Sequence, residues 1–129
     1  MSLNIIIPCY NESMRLPFNK YLDFLKLNKQ VKIIFVDDGS TDNTKNLVNK
    51  LSNKFPKQIK ILSYKKNKGK GNAVRDGFLY AVSQNMSGNL AYLDADLSTS
   101  LEECKLLSKK INDKIKFVFG SRIPKSNNI

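Results

Sequence analysis

Asp94 and Asp96 stand one residue apart in LDADLSTS, directly after an apolar run. In extended backbone, positions i and i+2 project to the same side. Two carboxylates placed that way repel each other unless a cation lies between them. The residue type and spacing suit one hard divalent cation, Mg²⁺ or Mn²⁺, whose remaining positions a substrate diphosphate and water can fill. A structural alternative stands beside this: Asp96 caps the following helix together with Ser98 and Thr99.

Four other clusters carry chemistry. FVDDGSTDNT sets Asp37 and Asp38 side by side, so they point to opposite faces. One carboxylate can accept from a base N–H or a ribose hydroxyl, which we assign to Asp38. The other, Asp37, bonds the amides of a turn that Gly39 closes at positive φ. KKNKGKGNAVRDG gathers Lys68, Lys70 and Arg75 with glycines where a helix begins, which suits a phosphate or leaves a solvated basic loop. It is not a dinucleotide fingerprint, because Val74 occupies the place of the third glycine, and it lacks the phosphate-loop Gly-Lys-Ser/Thr. IIIPCYNES gives Pro8, expected to end a strand ladder, then Tyr10 and Glu12. Tyr10 either stacks on a base or is a half-buried aromatic. FGSRIP offers Arg122, a bidentate fork for phosphate or a plain surface arginine. Histidine is absent, which excludes Ser-His-Asp and Cys-His catalysis and imidazole-bound zinc.

These clusters need elements to bring them together. Five apolar runs, 3–7, 31–36, 59–64, 90–93 and 115–120, are β-branched or aromatic-rich and bounded by turn residues, as buried parallel strands are. Between them, 18–28, 43–55, 72–85 and 101–112 repeat apolar residues at three- and four-residue spacing, the mark of helices with one apolar face. Thr99 with Glu102, or Ser100 with Glu103, forms a capping box for the last helix. The alternation predicts an α/β fold: three layers, αβα, around a mostly parallel, doubly wound sheet. Ligands of such sheets bind outside the carboxyl ends of the strands, and each polar cluster follows one of the five runs.

A chain of 129 residues suits a single domain over 1–129. No apolar run approaches the roughly 18 residues of a membrane span, and the N-terminus lacks the pattern of a secretory leader. Cys9 and Cys104 sit outside any CxxC pattern and are expected as reduced thiols of a cytoplasmic protein. The net charge of +11 raises a nucleic-acid reading; a Lys- and Asn-rich composition accounts for most of it, and no nucleic-acid partner is expected. One local excess remains. Lys54 to Arg75 holds eight basic residues and no acidic one, which suits a diphosphate or the acidic inner face of a membrane touched peripherally.

In order, IIIPCYNE, VDDGSTDNT, NKGKGNAVRDGF, LDADLS and GSR resemble the nucleotide-binding region of family 2 glycosyltransferases, which have the GT-A fold. The wording GKGNAVRDG and DAD is most similar to the dolichyl- and polyprenyl-phosphate glucose or mannose synthases. The resemblance runs from Leu3 to Ile123. It implies that Pro8, Tyr10 and Glu12 line a nucleotide pocket and that Asp38 binds the base with Asp37 beside it. Lys70 and Arg75 would lie near the diphosphate, Asp94 at the ribose or sugar, Asp96 on Mg²⁺ or Mn²⁺ with Asp94, and Arg122 on the acceptor side. Asp96 and Arg122 are thus the expected catalytic pair.

The implied reaction moves a sugar from a UDP- or GDP-linked donor to a polyprenyl phosphate, whose phosphate is already anionic and needs no general base. A saccharide acceptor in cell-surface polysaccharide synthesis and a nucleotide-binding fragment without turnover are the alternatives. A phosphatase of the haloacid-dehalogenase type is a remote one, since its acid pair ends the first strand and this one ends the fourth. Family domains continue past the GSR strand, so the chain is expected to hold the donor half and stop before most of the acceptor half.

Overall fold

The computed structural model describes residues 2–110. The apolar run 115–120, Arg122 and the last residues of the helix expected over 101–112 lie outside them.

Four strands, β1 (Leu3–Cys9), β2 (Val31–Asp37), β3 (Ile59–Ser63) and β4 (Asn89–Tyr92), alternate with α1 (Phe18–Leu27), α2 (Thr44–Lys54), α3 (Lys70–Ser83) and α4 (Leu101–Ser108). All pairings are parallel and the order is β3-β2-β1-β4. The chain steps outward from β1 to β3, then returns through α3 to place β4 on the other side of β1. Strand order therefore reverses between β1 and β4.

Side-chain alternation builds both cores. Leu3, Ile5 and Ile7 of β1, with Val31, Ile33 and Phe35 of β2, face a core shared with Tyr21, Leu25, Val48, Leu51 and Leu101 from α1, α2 and α4. Ile6, Ile34 and Val36 point the other way and pack with Ala73 and Ala81 of α3. Three layers result, as the sequence predicts. Asn4 also lies on the α3 side, is 1% exposed, and donates to the Ser87 carbonyl at 2.8 Å. That bond ties the α3–β4 connection to the sheet.

Two local expectations need correction. Pro8 does not end β1; it pairs in register with Val36, and the strand runs on to Cys9. The ladder with β4 stops opposite Ile6, whose carbonyl accepts from Leu93 N at 3.0 Å. Pro8, two residues on, faces the same way past that end, where its missing N–H is not required. Helix α3 begins at Lys70, ahead of residue 72, because Gly69 makes the turn at φ 101°. Of the two capping boxes foreseen for α4, Ser100 with Glu103 forms.

Candidate functional site

The reversal between β1 and β4 opens a cleft of about 390 Å³ at the carboxyl ends of the strands. Pro8, Cys9, Tyr10, Glu12 and Arg15 line it from β1 and the following loop, and Asp38 from the end of β2. Asn67, Gly69 and Lys70 come from the start of α3, and Asp94, Ala95 and Asp96 from the loop after β4. Seven of the residues singled out by sequence thus share one cavity. Asp37 is not among the lining residues: it is 2% exposed, and its Oδ1 accepts from Ser40 N at 3.2 Å in the turn. Arg75 does not line the cleft either, and its Nε lies 3.7 Å from Asp76 Oδ1. Arg122 lies outside the described residues.

Asp38 does more than border the cleft. One carboxylate oxygen accepts from Lys68 N at 2.7 Å; the other accepts from Gly69 N and Asn67 Nδ2, each at 3.0 Å. Three of about four acceptor sites on the carboxylate are thereby used to shape the loop that opens α3. The Asp38 amide donates to the Cys9 carbonyl at 2.8 Å, anchoring this loop to the end of β1. Gly39 passes so close that a Cβ there would meet Asn67 N at 2.5 Å.

The loop carrying Tyr10 and Glu12 is clamped by polar residues, among them the STDNT run whose residues read in the sequence as possible N-caps of the next helix. Asn11 sits at φ 50°, a conformation asparagine tolerates better than most residues. Its Oδ1 accepts from Thr41 N at 2.8 Å and Asp42 N at 3.3 Å. Asp42 Oδ2 in turn accepts from Ser13 N and Oγ at 3.2 and 2.7 Å. Glu12 N donates to Thr44 Oγ1 at 2.7 Å. The polar run STDNT therefore buttresses the neighbouring loop, while Asn43, the N-cap of α2, makes no side-chain cap.

Charge in the cleft is paired, across elements at Lys70 and within one loop at Arg15. The Lys70 ammonium donates to Asp94 Oδ1, and Arg15 Nε lies 3.2 Å from Glu12 Oε1. Arg15 lacked a sequence signal except its place three residues after Glu12. Burial pushes the Glu12 carboxyl up; Arg15 opposes this, and Asp96, Asp94 and Asp42 push further up. Asp96 Oδ1 accepts from Ser98 N at 3.0 Å in a local turn; it does not cap α4, whose N-cap is Ser100. The bond from Ser98 leaves the second carboxylate oxygen of Asp96 for other uses. Tyr10, 45% exposed, presents its ring at the edge of the cleft.

Cys9 lines the cleft, but burial, then Asp37 and Glu12, push its thiol far up, so it is no nucleophile. Both cysteines are free and buried. Among the described residues no group of three or more His, Cys, Asp or Glu is arranged to hold a metal. A two-carboxylate site still fits Mg²⁺ or Mn²⁺, because substrate phosphates and water commonly supply the other ligands. Among the described residues no helix is long and apolar enough to cross a membrane.

A parallel sheet with this strand order and a cleft at its switch point has the GT-A fold of known glycosyltransferases. The fold matches a mannosyltransferase of Pyrobaculum calidifontis solved with GDP-Man and Mn²⁺: TM-score 0.56 and 22% identity, over 73% of this chain and 27% of that one. S. aureus TarS 1-349 with UDP-GlcNAc matches at TM-score 0.58 and 23% identity, over 84% of this chain and 31% of that one. The model of glycosyl transferase family 2 matches residues 4–129, and the chain belongs to that family. A dolichyl-phosphate beta-glucosyltransferase of Trichomonas vaginalis is 34% identical over 134 residues, which takes in 93% of this chain. The chain spans 40% of that relative's length.

Proposed function

We propose that this chain holds the donor, a UDP- or GDP-linked sugar, for transfer to a lipid phosphate at the cytoplasmic face of a membrane. The observation that carries the reading is the convergence of Asp38, Lys70, Asp94 and Asp96 on one cleft at the switch point. The dolichyl-phosphate acceptor named for the Trichomonas relative supports the choice of lipid phosphate. The GDP-Man and Mn²⁺ bound by the structural neighbour support the choice of donor and metal.

Each residue then has a task. Tyr10 offers its face to the base, with Pro8 and Glu12 walling the pocket. Asp38 sets the 67–69 loop, with one acceptor site left for the nucleoside. Lys70 holds diphosphate oxygen, as a lysine does at a phosphate site. Asp94 and Asp96 would hold Mg²⁺ or Mn²⁺, which when bound would supply positive charge to offset that on a departing diphosphate. Lys70, a fixed cation beside it, adds to that stabilisation. Arg122 is assigned to the acceptor side, where an anionic lipid phosphate attacks without a general base.

Calorimetric titration of UDP-glucose, GDP-mannose and UDP, each with and without Mn²⁺, tests the reading. It expects Mn²⁺-dependent binding of one nucleotide sugar, abolished by Asp96→Ala. Hydrolysis of p-nitrophenyl phosphate with no nucleotide-sugar binding would replace it with the phosphatase alternative. Transfer of labelled sugar to polyprenyl phosphate, against transfer to an oligosaccharide, decides the acceptor.

A further inference from the structure

A residue far from the polar motifs reaches the paired acids from behind. Tyr21 of α1 is 0% exposed, and its ring packs on Phe35 with centroids 5.4 Å apart. Phenylalanine would fill that apolar site without a hydroxyl to satisfy, and burying an unbonded hydroxyl is costly. The Tyr21 hydroxyl is satisfied by one partner, donating to the Ala95 carbonyl at 2.8 Å. Ala95 is the residue between Asp94 and Asp96, with its own side chain 2% exposed in the core.

The backbone just beyond is strained, which is a second and independent observation. Leu97 takes φ 56°, the left-handed region, while its side chain stays 9% exposed and its amide donates to the Asp94 carbonyl at 3.0 Å. A leucine holds that conformation only where its surroundings over-determine it. The Ala95 carbonyl is fixed from the α1 side and Leu97 is fixed in the core. Between them the backbone has little freedom to turn Asp94 and Asp96 out of the cleft.

We propose that Tyr21 is a positioning residue for the paired acids: its hydroxyl fixes the Ala95 peptide and so the direction in which Asp94 and Asp96 leave the backbone. This deepens the donor-site reading and rests on it. Burial holds the phenol well above its ordinary range, and the neighbouring acids Asp96, Glu12 and Asp94 push it further. The hydroxyl therefore keeps the proton it donates at any working pH.

Tyr21→Phe in the 129-residue chain keeps the ring and deletes the donor. Two readouts follow, one of them independent of any ligand. By NMR hydrogen exchange, the Leu97 amide should exchange about tenfold faster while those of Ile5 to Ile7 in β1 are unchanged. By calorimetry, UDP-glucose or GDP-mannose binding with Mn²⁺ should weaken roughly five- to tenfold, while metal-free UDP binding shifts less than about twofold. A merely structural loss would lower both alike. Unchanged Mn²⁺-dependent affinity overturns the proposal, whatever the exchange rate. If the parent chain shows no Mn²⁺-dependent binding, the donor reading falls, and an unchanged Leu97 amide then also severs Tyr21 from the turn. If Tyr21→Phe does not fold, the unsubstituted protein decides: a protected Tyr21 hydroxyl proton with a through-space contact to Ala95 supports the bond, and its absence overturns it.

Discussion

The Lys70 ammonium donates to the Asp94 carboxylate across the cleft, joining the first residue of α3 to the loop after β4. The lysine side chain is 56% exposed and the aspartate 22%, so solvent screens the pair and it stabilises the fold by no more than about 1 kcal/mol. Its significance is local: a cation already rests on one of the two acids assigned to the metal. Lys70→Ala should leave the urea midpoint nearly unchanged. It should weaken metal-free UDP binding roughly tenfold, the scale of one charge-assisted bond. Mn²⁺ binding by the chain alone should tighten, because Asp94 loses a competing ammonium. Electron paramagnetic resonance of free Mn²⁺ checks the last point, and an unaltered Mn²⁺ affinity would refute the competition.

At Gly77, helix α3 passes close against Ile6 of β1. A Cβ there would lie 2.4 Å from Ile6 Cγ2, and Ile6 is 0% exposed. Alanine, normally the better helix former, should therefore destabilise by about 1–3 kcal/mol through overpacking. Ile6→Ala removes the obstructing methyl, so Gly77→Ala should cost less in that background. Urea unfolding of the four proteins in the cycle measures the coupling, and additive costs would contradict the contact.

Asp38→Asn separates two roles for one carboxylate. If Asp38 served the nucleoside alone, the substitution would reduce binding and spare stability. With amide donors at Lys68 and Gly69 and the Asn67 side chain all directed at it, an asparagine must turn its own NH₂ toward at least one of them. We expect a loss of about 1–3 kcal/mol together with faster amide exchange at Lys68 and Gly69. Wild-type stability in Asp38→Asn would show that the loop does not depend on the carboxylate.

The α/β architecture was legible because short continuous apolar runs mark parallel strands buried on both faces, while helical spacing marks helices buried on one. The four helices and four described strands fall within a few residues of the sequence expectation. Its errors have local causes. Pro8 seemed to end β1, but β4 is short and ends first. Helix α3 starts early because Gly69 and the Asp38 carboxylate make its first turn, a contact between residues 31 apart in the chain. The cleft drew its acids and Lys70 from motifs visible in the sequence. Its buttresses, Tyr21, Asn11 and Asp42, were not visible, since a buried tyrosine in a helical stripe reads as core and a polar loop reads as caps. Only the fold shows which carbonyl or amide each one meets.

Asp42 makes the loop clamp testable by pH. Desolvation raises its carboxyl, but hydrogen bonds from Thr44 and Ser13 outweigh this and hold it at about 2, below the ordinary 3.8. A depressed carboxyl contributes stability above its unfolded value and loses it as pH falls through the folded one. Asp42→Ala should thus be less stable than the parent near about pH 5, and the gap should close between 3.8 and about 2. Glu12 runs the other way: burial and then the neighbouring acids, against Arg15, raise its carboxyl above 4.5, so its contribution is present below that value and lost as pH rises. Running the series also in Glu12→Gln removes that opposing titration. A gap that stays constant from about pH 5 to about pH 2 would mean that the Asp42 carboxylate does not hold the loop bearing Tyr10 and Glu12.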